Sequence, residues 1–433
     1  MEKRILIFGS GYVAAPVIEY LTRQPENQLT VASNILADAE KLADGHEQVA
    51  AVVADVTNDQ VIADLVEQHD IVISLVPYLF HVAIAQQCIK FRKHLITASY
   101  VSPEMKALDQ AAKDAEILIL NEIGLDPGID HLSAMKVIDE AHDKGGKVKS
   151  FASWCGGLPA PEFNDNPLGY KFAWAPRGVL LALLNQAKFY KHNKVEIIES
   201  ADLLSSAKPV VVSEELALEG YPNRDSTSYR EAYQIPECEN LIRGTLRYPG
   251  FCDVITAAHK LGLLDIKSKP DTNLTWKTYI EQQLSTHHLN LSESVTKAFE
   301  WLGLFEEQSL PDSDSLLDAF CSVLQAKLQY QSNETDMIAL QHRFELVFDD
   351  RPEFLTSTLV VKGDVGGYSA MSKTVGYPVA IATQLILDGE IQDKGVHIPV
   401  LRHFYEPILE LLEEEGIECI EREQSQLDEH FFL

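Results

Sequence analysis

Short apolar runs alternate with segments of helical periodicity along the first 120 residues of the chain. The runs are as long as buried strands, and the segments between them repeat apolar residues every three or four positions. Each run is continuously apolar, as expected for strands in a parallel sheet that helices cover on both faces. The pattern therefore predicts an α/β fold with a doubly wound parallel sheet. Its six strands are expected at residues 4–8, 29–32, 49–54, 71–75, 95–98 and 117–120.

The periodicity changes after the sixth run, at the turn-rich segment 124–131. Strand-like segments then become longer, and residues 250 to about 328 have an almost wholly helical pattern. Further helices are expected at about 369–387 and 407–415. The predicted parts are an N-terminal domain at 1–127 to which 388–433 returns, a mixed α/β domain at 128–249 and 331–387, and a helical insertion at 250–330.

Composition and charge restrict the classes of partner. A hydrophobic share of 46% and a charged share of 23% are ordinary for a folded protein. The formal net charge of -29 would repel nucleic acid and anionic membranes, which attract Lys and Arg. An anionic small molecule would therefore need a local cluster of basic side chains.

Cysteine and histidine spacing gives no sign of disulfides or of a metal site. The six cysteines are scattered and form no C-x-x-C pair, which is typical of reduced thiols in the cytoplasm. The run at 4–8 leaves no room for a signal peptide, and no apolar stretch approaches membrane-spanning length. We expect a cytoplasmic protein without a metal, and a homodimer is the commonest assembly at this size. The histidines expected to be structural include His81, His94, His131, His259 and His342.

A glycine pattern follows the first predicted strand. The pattern is G-x-G-x-x-A, at Gly9, Gly11 and Ala14, and a helical segment comes after it. Gly9 permits a tight turn, Gly11 lets a pyrophosphate approach the backbone, and Ala14 permits close helix packing. A lone pattern of this kind also occurs in plain turns, but here it opens a helix after the first of six strands. It predicts a Rossmann-type domain that binds a dinucleotide.

The end of the second strand normally distinguishes NAD from NADP. An acid there bonds the ribose hydroxyls, whereas an Arg accepts the extra phosphate. This chain has Asn34, so the cofactor can be NAD or NADP, and the absence of Lys and Arg from 29 to 40 favours NAD. Asp55 and Val56, after the third strand, are expected to flank the adenine, unless Asp55 only forms a turn.

Ligands of such sheets lie beyond the carboxyl ends of the strands. The loops expected at that edge are 75–78, 97–100 and 121–128. Several long blocks in and beyond these loops resemble the signatures of the saccharopine reductases, the glutamate-forming saccharopine dehydrogenases, and occur in the family's order. The blocks are 73–78 (ISLVPY), 121–131 (NEIGLDPGIDH), 155–162 (CGGLPAPE), 166–172 (NPLGYKF), 221–226 (YPNRDS), 243–248 (RGTLRY), 301–305 (WLGLF) and 374–380 (TVGYPVA).

The resemblance covers nearly the whole chain and implies saccharopine, glutamate and 2-aminoadipate 6-semialdehyde as reactants. It implies cofactor contacts at Ser10, Gly11, Tyr12, Val13, Asp55, Val56, Leu75, Thr97 and Ala98. It implies saccharopine contacts at Ser99, Tyr100, Asp126, Arg224, Thr245, Leu246 and Arg247. Fungal members of the family have a segment that resembles Cys-Arg-Thr where this chain has residues 33–35 (SNI). Because the Arg is missing, the resemblance does not carry their preference for NADP over to this chain.

The residues themselves agree with this chemistry. Saccharopine carries three carboxylates, and Arg224 and Arg247 offer the planar fork that holds a carboxylate, although a surface ion pair would also explain them. Hydride transfer from a secondary amine also needs a proton carrier. Asp126 is the favoured carrier, while Tyr100 is expected to orient the substrate. The other two candidates are Glu122 and Cys155, and the thiol is as often a small packed residue.

Two alternatives stay open. A related C–N-forming reductase, such as a carboxynorspermidine-type enzyme, would handle a cationic polyamine and would need acidic anchors. The Arg pair disfavours it. A non-catalytic dinucleotide-sensing protein would bind the cofactor without turnover, and the presence of Asp126 with both arginines disfavours that reading.

Overall fold

The computed structural model describes residues 2–174, 176–425 and 432, and these divide into two units. Unit 1 contains the chain up to Glu140 together with Tyr368–Cys419. Unit 2 contains Ala141–Gly367 together with the chain from Ile420 onwards. No helix within the described ranges has the length and apolar character needed to cross a bilayer.

Seven parallel strands form the sheet that the structure describes in unit 1. The strands are β1 (Lys3–Phe8), β2 (Asn27–Ser33), β3 (Val49–Val53), β4 (Ile71–Ser74), β5 (His94–Ile96), β6 (Leu118–Leu120) and β15 (Gly395–His397). They lie in the order β15-β6-β5-β4-β1-β2-β3, which confirms the doubly wound parallel sheet expected from the apolar runs. The order reverses between β1 and β4, so the crevice for a ligand is expected at the carboxyl ends of these two strands.

Helices connect the strands of unit 1 and supply its core. They are α1 (Ala14–Leu21), α2 (Leu36–Ala43), α3 (Asp59–Glu67), α4 (His81–Phe91), α5 (Pro103–Lys106), α6 (Asp109–Asp114), α7 (Ile129–Asp143), α14 (Ala370–Leu387) and α15 (Arg402–Glu414). Helix α3 begins after Asn58, whose side chain accepts hydrogen bonds from the first-turn amides of Gln60 and Val61. Apolar side chains of β1, β4 and α4, such as Phe8, Val72 and Ile84, are fully buried together.

The sheet of unit 2 is mixed. Its strands are β7 (Lys147–Pro159), β8 (Ala187–Lys191), β9 (Lys194–Ile198), β10 (Lys208–Ser213), β11 (Leu216–Pro222), β12 (Asn240–Arg247), β13 (Asp336–Phe348), β14 (Arg351–Lys362) and β16 (Ile420–Glu423). The order is β10-β11-β12-β7-β13-β14-β16; in addition β8 pairs with β12, and β9 pairs with β8. Strands β12 and β7 are parallel, whereas the other neighbours are antiparallel.

A helical layer follows β12 within unit 2. The helices of the unit are α8 (Pro176–Ala182), α9 (Tyr229–Ala232), α10 (Phe251–Lys260), α11 (Trp276–Thr286), α12 (Glu293–Leu302) and α13 (Leu316–Lys327). Hydroxyl side chains cap the last three, since Thr275, Ser292 and Ser315 each accept a hydrogen bond from a first-turn amide. Their apolar faces share one core, in which Phe299 and Phe320 are fully buried.

The limits of the units differ from the expected domain limits at three elements. Helix α7 falls within the expected mixed domain, but it lies in unit 1 up to Glu140. Helix α14 is also expected in the mixed domain, but it too lies in unit 1. It packs on α1 so closely that a Cβ at Gly376 would lie 2.9 Å from the carbonyl oxygen of Val13. Strand β16 lies in unit 2, because residues 420–423 pair with Leu355–Thr358 of β14. Helix α15 begins at Arg402, five residues before the predicted start, and its Pro407 lies within the helix.

Candidate dinucleotide and substrate sites

The turn after β1 has the shape that a pyrophosphate needs. Gly9 has a φ of 111°, and a Cβ there would lie 3.1 Å from the carbonyl carbon and oxygen of Leu75. A Cβ at Gly11 would have no neighbour within 4 Å, so open space lies beside the backbone at the start of α1. Backbone amides and open space at a helix N-terminus fit a phosphate group. The residues present therefore fit a dinucleotide.

The carboxyl end of β2 is open to solvent. The hydroxyl of Ser10 donates to Ser33 Oγ at 2.8 Å, and the amide of Ile35 donates to the same oxygen at 3.2 Å. Asn34 and Ile35 are exposed, and Tyr12 on the glycine turn is 70% exposed, so a ribose could reach all three.

Asp55, a predicted adenine contact, is hydrogen-bonded within its own loop. Its carboxylate accepts hydrogen bonds from the amide and the hydroxyl of Thr57, at 2.9 and 2.7 Å. These two bonds lower the pKa of Asp55. The residue thus forms a local turn, as one reading of its position expected, and Val56 beside it is half-buried.

The loops after β4, β5 and β6 bring together several predicted contacts of unit 1. Leu75, Ala98 and Ser99 are half-buried, and Thr97 is buried. A Cβ at Gly124 would lie 2.9 Å from the Cβ of Ala98, so the loops after β5 and β6 touch. These loops therefore share the carboxyl edge of the sheet, as the sequence predicted.

Tyr100 and Asp126 form a pair on these loops. The phenol of Tyr100 donates to the carboxylate of Asp126 at 3.2 Å, and both side chains are half-buried. A carboxylate with a phenol beside it can hold an ammonium group or exchange a proton with a substrate nitrogen. The structure thus brings the two favoured candidates into contact.

Glu122, a further candidate, is bound in the loop itself. Its carboxylate accepts from the amide of Val101 at 2.9 Å and lies 2.8 Å from Nε2 of His131. Glu122 is 6% exposed and His131 is fully buried, so this pair fixes the loop after β6. The sequence showed both residues but not their contact.

Cys155, Thr245 and Tyr221 lie side by side on three neighbouring strands of unit 2. Thr245 of β12 is in register with Cys155 of β7 and with Tyr221 of β11, so the three side chains share one face of the sheet. Arg247 lies two residues further along β12 and shares that face. Leu246 points to the opposite face, where it is fully buried beside Trp154, so only its backbone could contact a ligand.

Arg247 is a buried cation without an anionic partner among the described residues. It is 7% exposed, its Nε has no hydrogen-bond partner, and its Nη1 donates to the carbonyl of Leu246 at 3.0 Å. Its guanidinium lies 5.0 Å from the ring centres of Tyr170 and Phe251. The carboxylate of Glu219, opposite on β11, instead accepts from the amide of Cys252 at 3.0 Å.

The neighbouring side chains do not neutralise this charge. Burial raises the pKa of Tyr221 to about 12 and also raises the pKa of Tyr170, so both phenols are neutral near pH 7. Burial of an unpaired charge costs several kcal/mol, on the order of 3–5 when one partner of a buried pair is missing. Arg247 is therefore suited to bind an anionic group of a ligand.

The second predicted arginine has a different setting. Arg224 follows β11, is exposed within unit 2 and has a φ of 48°, in the left-handed region. Its carbonyl accepts from the amide of Lys188 at 2.8 Å, which holds this turn in place. Cys155 is buried at 8% exposure. Within the ranges that the structure describes, no group of three or more His, Cys, Asp or Glu side chains could hold a metal ion.

Two family models match the chain. The saccharopine dehydrogenase NADP binding domain matches residues 5–120, and the saccharopine dehydrogenase C-terminal domain matches residues 124–417. The chain is 43% identical to saccharopine dehydrogenase [NADP(+), L-glutamate-forming] of Pyricularia oryzae, over 97% of this chain and 99% of the relative. It is 44% identical to the protein of the same description from Saccharomyces cerevisiae, over 96% and 98%.

A longer relative and a solved structure agree with these matches. The mitochondrial alpha-aminoadipic semialdehyde synthase of Bos taurus is 41% identical over 96% of this chain, which corresponds to 47% of the relative. The apo saccharopine dehydrogenase (L-Glu forming) of Saccharomyces cerevisiae superposes with a TM-score of 0.90 at 42% identity, over 98% of this chain and 100% of that one. The chain therefore belongs to the saccharopine dehydrogenase family.

Proposed function

We propose that the chain interconverts saccharopine with L-glutamate and 2-aminoadipate 6-semialdehyde by hydride transfer. The observation that carries this proposal is Arg247, a buried guanidinium with no anionic partner in the described structure, which suits a substrate with several carboxylates. The relatives named as L-glutamate-forming saccharopine dehydrogenases support the same substrate.

The residues have separate roles in this mechanism. The glycine turn after β1 would hold a nicotinamide dinucleotide, which would supply the hydride acceptor for the substrate carbon. Gly9 permits the turn, and Gly11 leaves room for the pyrophosphate of such a dinucleotide. Arg247 and Arg224 bind substrate carboxylates. Asp126 takes the proton of the secondary amine, so that the neutral amine can release hydride and become an imine. Water then adds to the imine carbon, and Asp126 returns the proton to the nitrogen as the C–N bond breaks and the aldehyde carbonyl forms.

Tyr100 orients this exchange. Its phenol donates to Asp126 at 3.2 Å, which fixes the carboxylate, and it holds the substrate amine nearby. Cys155 lies in register with Thr245 and is assigned a packing role beside the substrate. Thr245 contacts the substrate through its hydroxyl, which accepts from Nδ2 of Asn223 at 3.1 Å.

The proposed cofactor is NADP. The family model covering residues 5–120 and the names of the two fungal relatives specify NADP, and they give no support to the preference for NAD expected from the sequence. Asn34 at the end of β2 places no carboxylate where the 2′-phosphate would lie, and its exposed amide can donate to that phosphate. Because no Lys or Arg occurs from 29 to 40, we expect a modest preference of NADP over NAD.

The test is saccharopine-dependent reduction of NADP and NAD, followed by absorbance, in the wild type and in Arg247→Met. Loss of a buried guanidinium–carboxylate contact worth about 3–5 kcal/mol should lower kcat/KM for saccharopine by at least about a hundredfold. The free energy of unfolding, from urea titration, should stay unchanged or rise, because the variant removes an unpaired buried charge. An unchanged kcat/KM in Arg247→Met would contradict the assignment of Arg247 to the substrate site.

The same assay separates the alternatives. A carboxynorspermidine-type reductase would accept a diamine in place of glutamate, and a dinucleotide-sensing protein would bind NADP without any absorbance change on adding saccharopine. The buried charge of Arg247 disfavours a cationic substrate in unit 2.

A further inference from the structure

His81 lies among three hydroxyl groups in unit 1. Its Nδ1 lies 2.8 Å from Ser74 Oγ, and its Nε2 lies 2.7 Å from Ser99 Oγ and 3.3 Å from Thr97 Oγ1. His81 is the first residue of α4 and is 4% exposed. It thus joins the carboxyl ends of β4 and β5 to the loop that carries Tyr100.

The imidazole of His81 has too few acceptor atoms for all three hydroxyls to donate a hydrogen bond to it. A neutral imidazole has one N–H donor and one acceptor nitrogen, so at most one of the three hydroxyls can donate to it. Burial lowers the pKa of His81 to about 4, which keeps the ring neutral near pH 7. Within residues 2–174 and 176–425 these hydroxyls have no other acceptor within hydrogen-bond distance.

Burial indicates which hydroxyl donates to the ring. Ser74 is 1% exposed, and Nδ1 of His81, at 2.8 Å, is its one acceptor in the described structure. Thr97 is equally buried, but its hydroxyl lies 3.3 Å from Nε2, so Ser74 has the shorter contact of the two and is assigned as the donor, to Nδ1. The ring proton then lies on Nε2 and is donated to Ser99 Oγ, the nearer of its two oxygen neighbours.

The Ser99 hydroxyl consequently keeps its own proton for a ligand. Ser99 is half-buried, whereas Ser74 and Thr97 are each 1% exposed, so it is the member of the group that a ligand can reach. The carbonyl of Ser99 accepts from the amide of Glu122 at 3.1 Å, which fixes its backbone. The next residue, Tyr100, pairs with Asp126, so the free proton lies beside the proposed proton-transfer pair.

We propose that His81 is a positioning residue that turns the Ser99 hydroxyl into a hydrogen-bond donor for a carboxylate oxygen of the substrate. The inference rests on the proposed function, and it assigns a role to a histidine that the sequence placed among structural residues. A donor to a charged oxygen is worth more than one to a neutral oxygen, so the contact contributes to substrate affinity.

The kinetic test uses Ser99→Ala, His81→Phe, and the double variant. Each single variant should raise KM for saccharopine about tenfold, while kcat and the Kd of NADP change less than about twofold. Because His81 acts through Ser99, the double variant should be no worse than Ser99→Ala alone. His81→Gln, which keeps a donor near the Nε2 position, should recover part of the affinity.

A matched control is available in the same unit. His69 is also buried, and its Nε2 lies 2.8 Å from the hydroxyl of Thr30 in the middle of β2, away from the carboxyl ends of the strands. His69→Phe should leave KM for saccharopine unchanged. Nitrogen NMR of the histidines in the NADP-bound wild type should show the proton of His81 on Nε2.

The outcomes are distinct. An unchanged KM in Ser99→Ala, multiplicative effects in the double variant, or a proton on Nδ1 of His81 would overturn the inference. If His81→Phe does not fold, the KM of Ser99→Ala and the NMR measurement still decide it. No saccharopine turnover by the wild type would overturn the proposed function together with this ligand. Turnover with an unchanged KM in both single variants would overturn the inference alone.

Discussion

Two histidines of unit 1, the buried His81 and the half-buried His94, are neutral because the surrounding protein removes much of their contact with water. Burial lowers the pKa of each to about 4, from an ordinary value of 6.5. His94 accepts a hydrogen bond from the amide of Leu118 through Nδ1, at 2.9 Å, and a neutral ring is required for that bond. The folded state thus depends on uncharged rings at these positions.

This dependence predicts a loss of stability in mild acid. Between pH 6.5 and about 4 the unfolded chain binds protons at these histidines that the folded chain does not, so the free energy of unfolding falls as pH falls through this window. Each ring contributes a slope of up to about 1.4 kcal/mol per pH unit. Urea unfolding at pH 7, 6 and 5 would measure the slope, which should be smaller in His81→Phe. Substitution of the exposed His287 is the control, and an equal slope in His81→Phe would refute this origin.

At the residue scale the sequence predicted identities better than contacts. It selected Asp126 and Tyr100 separately, and the structure shows their hydrogen bond. It grouped Leu246 with Arg247, but successive residues of a strand face opposite sides, so the leucine side chain lies in the core. It could not find the role of His81, because the partners of this ring come from two strands and a loop that only folding brings together.

At the element scale the strand–turn–helix of β1 and α1 combines two glycines with different requirements. Gly9 has a left-handed φ and close neighbours, whereas Gly11 has open space and no left-handed φ. The sequence alone predicted both glycines of the motif. The distance to Leu75 shows that Gly9 is needed for the fold of the turn, whereas the open space beside Gly11 leads us to expect that Gly11 serves the ligand.

Alanine substitutions should separate these requirements. Gly11→Ala should change the free energy of unfolding by less than about 1 kcal/mol but weaken NADP binding at least about tenfold, since its methyl group occupies the space for the pyrophosphate. Gly9→Ala should destabilise the protein by about 1–3 kcal/mol or more. Urea unfolding and fluorescence titration with NADP measure the two effects.

The control for backbone strain is Gly45→Ala. Gly45 also has a left-handed φ, of 82°, but a Cβ there would meet nothing within 4 Å. The Gly45→Ala variant should lose less stability than Gly9→Ala and should bind NADP as the wild type does. Normal NADP binding by Gly11→Ala would show that the space beside this residue is not used by the cofactor.

At the scale of the whole molecule the excess of acidic residues governs the response to salt. The chain has 65 Asp and Glu residues against 36 Lys and Arg residues. Self-repulsion of this charge opposes the folded state, although surface ion pairs such as Lys3 with Asp388 offset a small part of it. The anionic ligands proposed here must also enter against this field, which explains why a buried basic group such as Arg247 matters.

Screening should therefore stabilise the protein. The Debye length falls from about 30 Å at 0.01 M salt to about 8 Å at 0.15 M, so the midpoint of thermal unfolding should rise by a few degrees over this range. Calorimetry in NaCl and in KCl would test it, because screening does not depend on the cation. A lower midpoint at the higher salt concentration would mean that ion pairs outweigh the repulsion.

The sequence by itself determined the α/β class, the parallel sheet and the family. Strands that are buried on both faces must be continuously apolar, and a turn that approaches a phosphate must contain glycine. Local sequence patterns therefore predict both the sheet and the turn. The family blocks are local as well, and their matches extend over residues 5–120 and 124–417.

Only the tertiary structure decided which unit contains α14 and β16, which strands lie beside Thr245 and Arg247 of β12, and that Arg247 has no anionic partner among the described residues. Each of these depends on groups far apart in the chain. Residues 420–423 find their partner strand about 60 residues earlier, and the hydroxyls around His81 belong to separate strands and loops. Local periodicity cannot predict contacts between residues that are far apart in the sequence, because strand pairing and burial are set by the packing of the whole unit.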